Sequence, residues 1–313
     1  MISVDTYLQP GAPDPVLETD MVLDIARRHA PAVSTVLHVD ESGGEARAYL
    51  LDGNAILKTQ RPHRLRPRTS LAKEALILDH LAQSSSLPVP RILGYGQEGS
   101  VEYILMSRMA GVAMHNATLS PDARAAALHQ LGRVLRQLHG VDQDALLSTG
   151  LIAGDSSSSD LSDRLVGAYD RLIAALQRAG GWPAALPLGD VSSRALAALP
   201  RELPFVVLHS NPSAVHTFVD ASSGAFTGII DFGDAYRSHP ALDLRAWADP
   251  ADALELRAGY VAAGPLPVGF EQVWRAGQVL TEMALAVRGQ RDLGLAARNI
   301  RGLLDRGATV PAT

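Results

Sequence analysis

The sequence predicts an α+β protein with two lobes, a small lobe built on an antiparallel sheet and a larger, mainly helical lobe. Strand-like runs dominate the first third of the chain and are joined by turn-rich connections, as in an antiparallel meander. Beyond Met106 the pattern changes to long segments with apolar residues at helical spacing. We therefore expect an N-terminal lobe over residues 1–107 and a C-terminal lobe over residues 108–313.

The predicted elements of the small lobe are mostly strands. Helix 20–29 is amphipathic, with Thr19 as a candidate N-cap. Helix 70–83 carries leucine and alanine at helical spacing. The strands are expected at 33–40, 46–51, 55–59, 89–95 and 101–106.

The larger lobe opens with the strongest helix signal in the chain. Ser120 can cap the helix, Pro121 suits the first helical position and Asp122 suits the positive end of the helix dipole. A stripe of four leucines follows and the pattern stops at Gly140. A β-type segment is expected at 205–231. Further helices are expected near 160–178, 190–199, 250–263 and 270–304.

Composition limits the classes of function. The 313 residues are 47% hydrophobic and 19% charged, which supports a sizeable core and excludes a disordered chain. A net charge of −5 argues against a general nucleic-acid binder, since these proteins show a basic face. The sequence lacks cysteine, a basic-then-apolar leader pattern and any apolar run of the roughly 18 residues that a membrane span needs. We therefore expect a cytoplasmic protein with no nucleic-acid and no membrane partner.

Lysine is rare in this chain, and one lysine has a suggestive position. Only Lys58 and Lys73 are lysine among the 28 basic residues. Lys58 ends the third predicted strand and Glu74 lies on the helix that follows, so the two could pair. By themselves a strand lysine and a helix glutamate are ordinary surface residues, and the pair gains meaning only from the motifs below.

Three segments in the second half of the chain carry the informative pattern. They read V-V-L-H-S-N-P-S-A-V-H-T-F-V-D at 206–220, T-G-I-I-D-F-G-D at 227–234 and H-P-A-L-D-L at 239–244. In order and spacing they resemble the H-G-D-x-x-x-x-N-x-x-x-D, I-D-W/F-G/E-D and D-P-x-x-D-L-like segments of the aminoglycoside phosphotransferase and choline kinase-like family. Segments 87–95 and 131–139 also resemble that family. The resemblance implies a protein-kinase-like fold and an ATP-dependent transfer of phosphate.

The resemblance implies a nucleotide site in the small lobe. ATP, or another nucleoside triphosphate, would bind with Mg²⁺ or Mn²⁺. Lys58 would contact the phosphates and Glu74 would orient it. The backbone of segment 103–108 would meet the adenine, so its expected contact residues are Tyr103, Leu105 and Met106.

The same resemblance implies a catalytic loop in the larger lobe. His209 would open the loop as a structural residue and Asp243 would support it from the start of a helix. Asp231, after a hydrophobic strand, would be the principal metal ligand, and a carboxylate there suits a hard cation. His216 occupies the position of a second metal ligand.

Two departures from the family pattern fall in this loop, where Asn211 replaces the catalytic aspartate and His216 replaces a metal-binding asparagine. An amide can accept a hydrogen bond from a substrate hydroxyl but cannot take its proton at neutral pH. Imidazole is a poor magnesium ligand, so His216 could bind a softer divalent ion, act as an alternative base or only pack. The leading hypothesis is a phosphotransferase, and the alternative is a pseudokinase that binds nucleotide or ligand without transfer.

The expected acceptor is a hydroxyl group of a small molecule, such as an aminoglycoside-like antibiotic, an amino alcohol or a sugar. Asp234, Asp249 and Glu282 could line a pocket for a cationic acceptor or be ordinary surface residues. The arginine-rich run at 61–68 could hold a phosphorylated substrate or be a solvated loop. The sequence does not specify the acceptor or the oligomeric state.

Overall fold

The N-terminal part of the chain folds around a five-stranded antiparallel sheet of order β1-β2-β3-β5-β4. The structure is a computed structural model, and it describes residues 7–306. Two helices accompany the sheet, α1 (Thr19–His29) and α2 (Leu71–Ser84). The strands are β1 (Val36–Asp40), β2 (Ala46–Leu51), β3 (Ala55–Gln60), β4 (Ile92–Glu98) and β5 (Val101–Ser107).

Alternation along β3 gives the sheet two different faces. Leu57 is buried against α1, in a cluster that includes Tyr49 and Ile25. Because successive side chains of a strand point to opposite faces, Lys58 projects from the other face, towards α2, where Ile56 also packs. Leu57, a core residue, and Lys58, the lysine of the candidate site, are therefore neighbours in the sequence but lie on opposite faces of the sheet.

The C-terminal part is mainly helical, with short strands between its helices. Its helices are α3 (Pro121–Gly140), α4 (Asp144–Ser148), α5 (Ser158–Ala179), α6 (Leu188–Leu196), α7 (Pro250–Ala262), α8 (Phe270–Val287) and α9 (Leu293–Asp305). Its strands are β6 (Val112–Ala113), β7 (Val206–Leu208), β8 (Thr217–Val219), β9 (Phe226–Ile229) and β10 (Tyr236–Ser238), which form the sheets β6-β8-β9 and β10-β7. Short 3-10 helices cover Pro62–Arg64, Met114–Asn116 and Pro240–Ala246.

The predicted order of elements is confirmed, with corrections at several boundaries. The expected helix at 120–140 is α3, and the Ser120 hydroxyl caps it by accepting from the Ala123 N–H at 3.2 Å. The single helix expected at 270–304 is wrong, because α8 ends at Val287 and α9 begins at Leu293. The chain turns between them at Gly289, which has a φ of 70°, and Asp292 then caps α9.

Helix α2 joins the sheet to the helical part. Its apolar side chains, with Ile104 and Met106 of β5, belong to the same buried cluster as those of α3, α5 and α8. The division near residue 107 is thus bridged by a continuous core, and its value as a domain boundary stays a prediction. No helix within residues 7–306 is long and apolar enough to cross a membrane.

Candidate active site

The centre of the site is Lys58, which lies between two carboxylates. Its Nζ donates to Glu74 Oε2 at 2.7 Å and to Asp231 Oδ1 at 2.8 Å. The Glu74 side chain is 1% exposed and that of Asp231 36% exposed, so Asp231 is the partner accessible from outside. The expected pairing of Lys58 with Glu74 is therefore present. Asp231, 173 positions after Lys58, is a second partner of the same ammonium.

Burial and charge oppose each other in this group. Burial lowers the pKa of Lys58, but the charges of Asp231 and Glu74 outweigh burial and leave it above its ordinary value. Burial raises the pKa of Glu74, against the effect of Lys58. Burial acts to raise the pKa of Asp231, but the charge and the hydrogen bond of Lys58 work against burial, and the pKa of Asp231 lies well below the usual range. The centre thus offers a charged ammonium and a charged, accessible carboxylate.

The backbone that presents Asp231 is unusual. Asp231 follows β9 and has a φ of 74°, in the left-handed region that side chains other than glycine rarely adopt. The next residue, Phe232, is buried, and the centroid of its ring lies 4.6 Å from that of the His209 ring. The Gly233 carbonyl accepts from the Ser70 N–H at 3.2 Å, just before α2. These contacts of the two following residues hold Asp231 in its strained conformation. Strain of this kind is common at functional sites.

The segment 209–216, the expected catalytic loop, begins with a buried, neutral histidine. His209 Nε2 lies 2.9 Å from the Ile230 carbonyl, and His209 Nδ1 accepts from the Asn211 N–H at 3.3 Å. Because the carbonyl only accepts, Nε2 must carry the hydrogen. Desolvation lowers the pKa of His209, which agrees with a neutral ring. Both ring nitrogens are engaged, so the geometry suits the structural role expected of His209.

Asp243 fixes the start of the same segment. Its carboxylate accepts from the N–H groups of His209 and Ser210 at 2.8 and 2.7 Å. His139 Nε2, from the end of α3, lies 3.0 Å from the same carboxylate, and His139 Nδ1 lies 2.9 Å from the Tyr260 hydroxyl. The sequence analysis missed the contribution of His139 and Tyr260. The only sequence signal was a polar histidine at the end of an otherwise apolar stripe.

Ser210 occupies a position where the family pattern has glycine. Its φ is 82°, which a glycine adopts without strain and a serine does not. The contact of its N–H with Asp243 keeps this conformation. The structure therefore explains the glycine of the family pattern and shows that serine costs conformational energy here.

His216 faces the carboxylate of Asp231. Its Nδ1 lies 2.8 Å from the Asn211 carbonyl oxygen and its Nε2 lies 3.2 Å from Asp231 Oδ2. Thus His216 and Asp231, together with the backbone of Asn211, are brought together beside Lys58. Their parts in catalysis and metal binding stay predictions.

The three residues expected at the adenine lie within the sheet. Tyr103, Leu105 and Met106 belong to β5, which pairs with β3 on one side and β4 on the other. The Tyr103 hydroxyl, moreover, lies 3.0 Å from His29 Nε2, on the α1 side. Backbone contact with a base would therefore fall to the residues that follow Ser107, and the role of the three residues stays a prediction.

The acids considered for a cationic acceptor are all engaged within the chain. Asp234 accepts from Arg66 and from the Thr69 hydroxyl, each at 2.6 Å. Asp249 caps α7 by accepting from the Ala251 N–H at 2.8 Å. Glu282 lies within 3.3 Å of Arg291 and accepts from Asn299. The arginine run is likewise divided, since Arg61 is buried against Asp14 while Arg64 and Arg68 are exposed.

The donor atoms of this centre suit different divalent ions. Within residues 7–306 no group of three or more histidine, aspartate or glutamate side chains is placed to hold a metal. Asp231 supplies carboxylate oxygen, which fits Mg²⁺ when phosphate oxygens complete the coordination. His216 supplies nitrogen, which fits Mg²⁺ poorly and softer ions better.

The profile of the phosphotransferase enzyme family (APH) matches residues 12–278. Since this match covers most of the chain, the protein belongs to that family. The sequence-based assignment to the aminoglycoside phosphotransferase type is thereby confirmed.

Similar solved structures share the fold. The GDP complex of wild-type aminoglycoside 2'-phosphotransferase-IIIa is 16% identical with a TM-score of 0.61, and 93% of this chain and 98% of that chain are covered. The macrolide 2'-phosphotransferase of Brachybacterium faecium is 21% identical with a TM-score of 0.58, at 94% and 99% coverage. The ternary complex of APH(2")-IIa with streptomycin and ATP is 17% identical with a TM-score of 0.58, at 93% and 97% coverage. At these identities the similarity shows the kinase-like fold alone.

Proposed function

We propose that this protein transfers the γ-phosphoryl group of ATP, or of another nucleoside triphosphate, to a hydroxyl group of a small molecule. The observation that carries the proposal is Lys58, held between buried Glu74 and accessible Asp231 beside the 209–216 loop. Family membership supports it, and so do the nucleotides named for similar structures, GDP and ATP. The cytoplasmic location predicted from the sequence stays part of the proposal.

Each residue of the centre has a part in this reaction. Lys58 binds nucleotide phosphate oxygens, and Glu74 keeps the ammonium in place. Asp231 would hold one divalent ion, which would neutralise phosphate charge when bound. Since phosphoryl transfer depends mainly on positioning and electrostatics, these groups supply most of what the reaction needs.

Asn211 orients the acceptor rather than deprotonating it. Its side-chain oxygen can accept a hydrogen bond from the attacking hydroxyl but does not bind the proton at neutral pH. The hydroxyl oxygen bonds to phosphorus, the bond from phosphorus to the β–γ bridging oxygen breaks, and the proton leaves to water. Absence of a general base lowers the rate by about 10²–10⁴ and leaves the reaction possible.

The test is phosphate transfer from ATP across a panel of hydroxyl acceptors, together with calorimetry of ATP binding with Mg²⁺ and with Mn²⁺. The panel includes amino sugars, amino alcohols and neutral sugars, because Asp234, Asp249 and Glu282 are already paired within the chain. Metal-dependent ATP binding with transfer to one class of acceptor is the expected result. ATP binding with no transfer to any acceptor would favour the pseudokinase alternative, and absence of both would overturn the proposal.

A further inference from the structure

The hydrogen bonds of His216 specify which ring nitrogen faces the centre of the site. Its Nδ1 lies 2.8 Å from the Asn211 carbonyl oxygen. A carbonyl oxygen only accepts, so Nδ1 carries the hydrogen of this contact. In the neutral ring Nε2 then carries the lone pair, and it is Nε2 that faces Asp231.

In that neutral form the two atoms that face each other are both electron-pair donors, whereas in the protonated ring Nε2–H donates to the carboxylate and a bound ion takes the place of that proton. His216 Nε2 lies 3.2 Å from Asp231 Oδ2, while Lys58 is bonded to the other oxygen, Oδ1, at 2.8 Å. The ammonium of Lys58 therefore does not fill the space between Nε2 and Oδ2. A separation of 3.2 Å is close to that of neighbouring ligands around one ion with bonds of about 2.0–2.2 Å.

The backbone holds this pair in register. The His216 carbonyl accepts from the Ile230 N–H at 3.0 Å, and Ile230 immediately precedes Asp231. The His216 N–H is bonded in turn to the Ser213 carbonyl at 2.9 Å. The two donor atoms thus belong to segments that are already hydrogen-bonded to each other, so little ordering is needed for both to bind one ion.

We infer that His216 Nε2 and Asp231 Oδ2 together bind a divalent first-row transition ion in preference to Mg²⁺. This inference rests on the proposed function, in which the ion accompanies the nucleotide. Mg²⁺ prefers oxygen ligands, whereas transition ions bind imidazole nitrogen and carboxylate oxygen together.

The test is pulsed EPR of Mn²⁺ bound to the protein with ADP. Wild type should show nitrogen coupling to manganese, and protein labelled with ¹⁵N-histidine should show the ¹⁵N pattern instead, which excludes the adenine of ADP as its source. His216→Asn should lose the coupling, while His38→Asn, the same change on an exposed strand residue, should keep it. The preference for Mn²⁺ over Mg²⁺ should fall by about tenfold or more in His216→Asn, since loss of even an outer partner has such an effect.

The outcomes separate this inference from the proposed function. Bound Mn²⁺–ADP without histidine nitrogen coupling in wild type would overturn the inference and leave the function standing. Spectra of the protein with ADP and with GDP that are identical to those of Mn²⁺–ADP and Mn²⁺–GDP in buffer would overturn both. The labelling experiment shows on the wild-type chain whether a histidine binds the ion, and the loss of that coupling in His216→Gln assigns it to His216 even when His216→Asn does not fold.

Discussion

At the scale of single residues, Ser210 and Asn211 stand side by side with different consequences. Ser210 carries a conformational cost at a φ of 82°, which affects stability. Asn211 lacks the proton affinity of a carboxylate, which affects rate. Substitution of Ser210 should therefore change the stability of the protein, and substitution of Asn211 should change its turnover.

Ser210→Gly should stabilise the protein by up to about 1 kcal/mol. The gain is the free energy that a side chain costs in the left-handed region. It is reduced by the greater conformational entropy that glycine loses on folding. Asn54→Gly is the matched control, because Asn54 also has a positive φ, of 61°, but asparagine tolerates that region. Urea unfolding measures both variants. A loss of stability in Ser210→Gly, or an equal gain in both, would contradict the role of strain.

Asn211→Asp should raise the rate of phosphate transfer. The new carboxylate would take the proton of the attacking hydroxyl, and the gain could reach about 10²–10⁴. Ser213→Asp places the same charge two residues away in the same loop and should give no gain. Initial rates with the best acceptor from the panel measure the effect. An unchanged or lower rate in Asn211→Asp would show that a missing base does not limit this loop.

At the scale of elements, two ion pairs hold separate parts of the chain together. Lys58 joins β3 to α2 and to the residue that follows β9. Arg164 joins α5 to Asp155 through two hydrogen bonds of 2.8 and 2.6 Å, and to Ser238 of β10. In both cases a nearly buried carboxylate depends on one cation, since Glu74 is 1% and Asp155 3% exposed.

Lys58→Met should weaken nucleotide binding and also destabilise the protein by about 3–5 kcal/mol, because a buried carboxylate is left without its partner. The effect should depend on pH. Since burial raises the folded pKa of Glu74 above its ordinary value of 4.5, the protonated form is favoured in the folded state, and that stability is lost as pH rises. The deficit should therefore grow as pH increases from about 4.5.

The control for this variant is Lys58→Met combined with Glu74→Gln, which removes the unpaired charge. It should regain most of the lost stability and lose the pH dependence, while nucleotide binding stays weak. Thermal unfolding between acid and neutral pH measures all three proteins. A pH-independent loss in the single variant would contradict the role given to Glu74.

Arg164→Met should cost about 3–5 kcal/mol for the same reason. Arg194→Met removes a comparable pair with Asp305, at 2.9 Å, but these side chains are 44% and 60% exposed. Loss of an exposed pair should cost less than about 1 kcal/mol. Chemical denaturation of the two variants is the measurement, and similar losses in both would show that burial does not decide the cost.

At the scale of the whole molecule, the buried cluster that contains α2 and β5 also contains α3, α5 and α8. The Lys58–Asp231 pair and the Ser70–Gly233 hydrogen bond cross between the same parts. These contacts make the sheet and the helical part dependent on each other. Nucleotide bound at Lys58 and Asp231 would add to the link.

The protein should therefore unfold in one transition. Tryptophan fluorescence reports only the helical part, since the tryptophans are at positions 182, 247 and 274, whereas circular dichroism reports both parts. The two signals should coincide. In the same experiment, ADP with Mn²⁺ at about 100 times its Kd should raise the free energy of unfolding by about 2.7 kcal/mol. Separate transitions would show that the sheet and the helical part fold independently.

The sequence by itself determined the order of elements and the candidates for the site. Cap residues and leucine spacing specify α3 because they act within a few neighbouring residues. The spacing of His209, Asn211, His216 and Asp231 is a property of the chain alone, and so is the family to which it points. The break between α8 and α9 had local signals too, in Gly289 and Asp292, which a continuous helical pattern obscured.

Tertiary structure decided what those candidates contact. Lys58 and Asp231 are 173 residues apart in the chain, and only the folded structure brings them together. The tautomers of His209 and His216 depend on carbonyls supplied by the folded loop, and Asp243 reaches His139 from an element far along the chain. Hydrogen bonds of this kind depend on positions in space accurate to a fraction of an ångström. Local sequence patterns carry no information at that precision, because burial and charge act between whichever residues the fold makes neighbours.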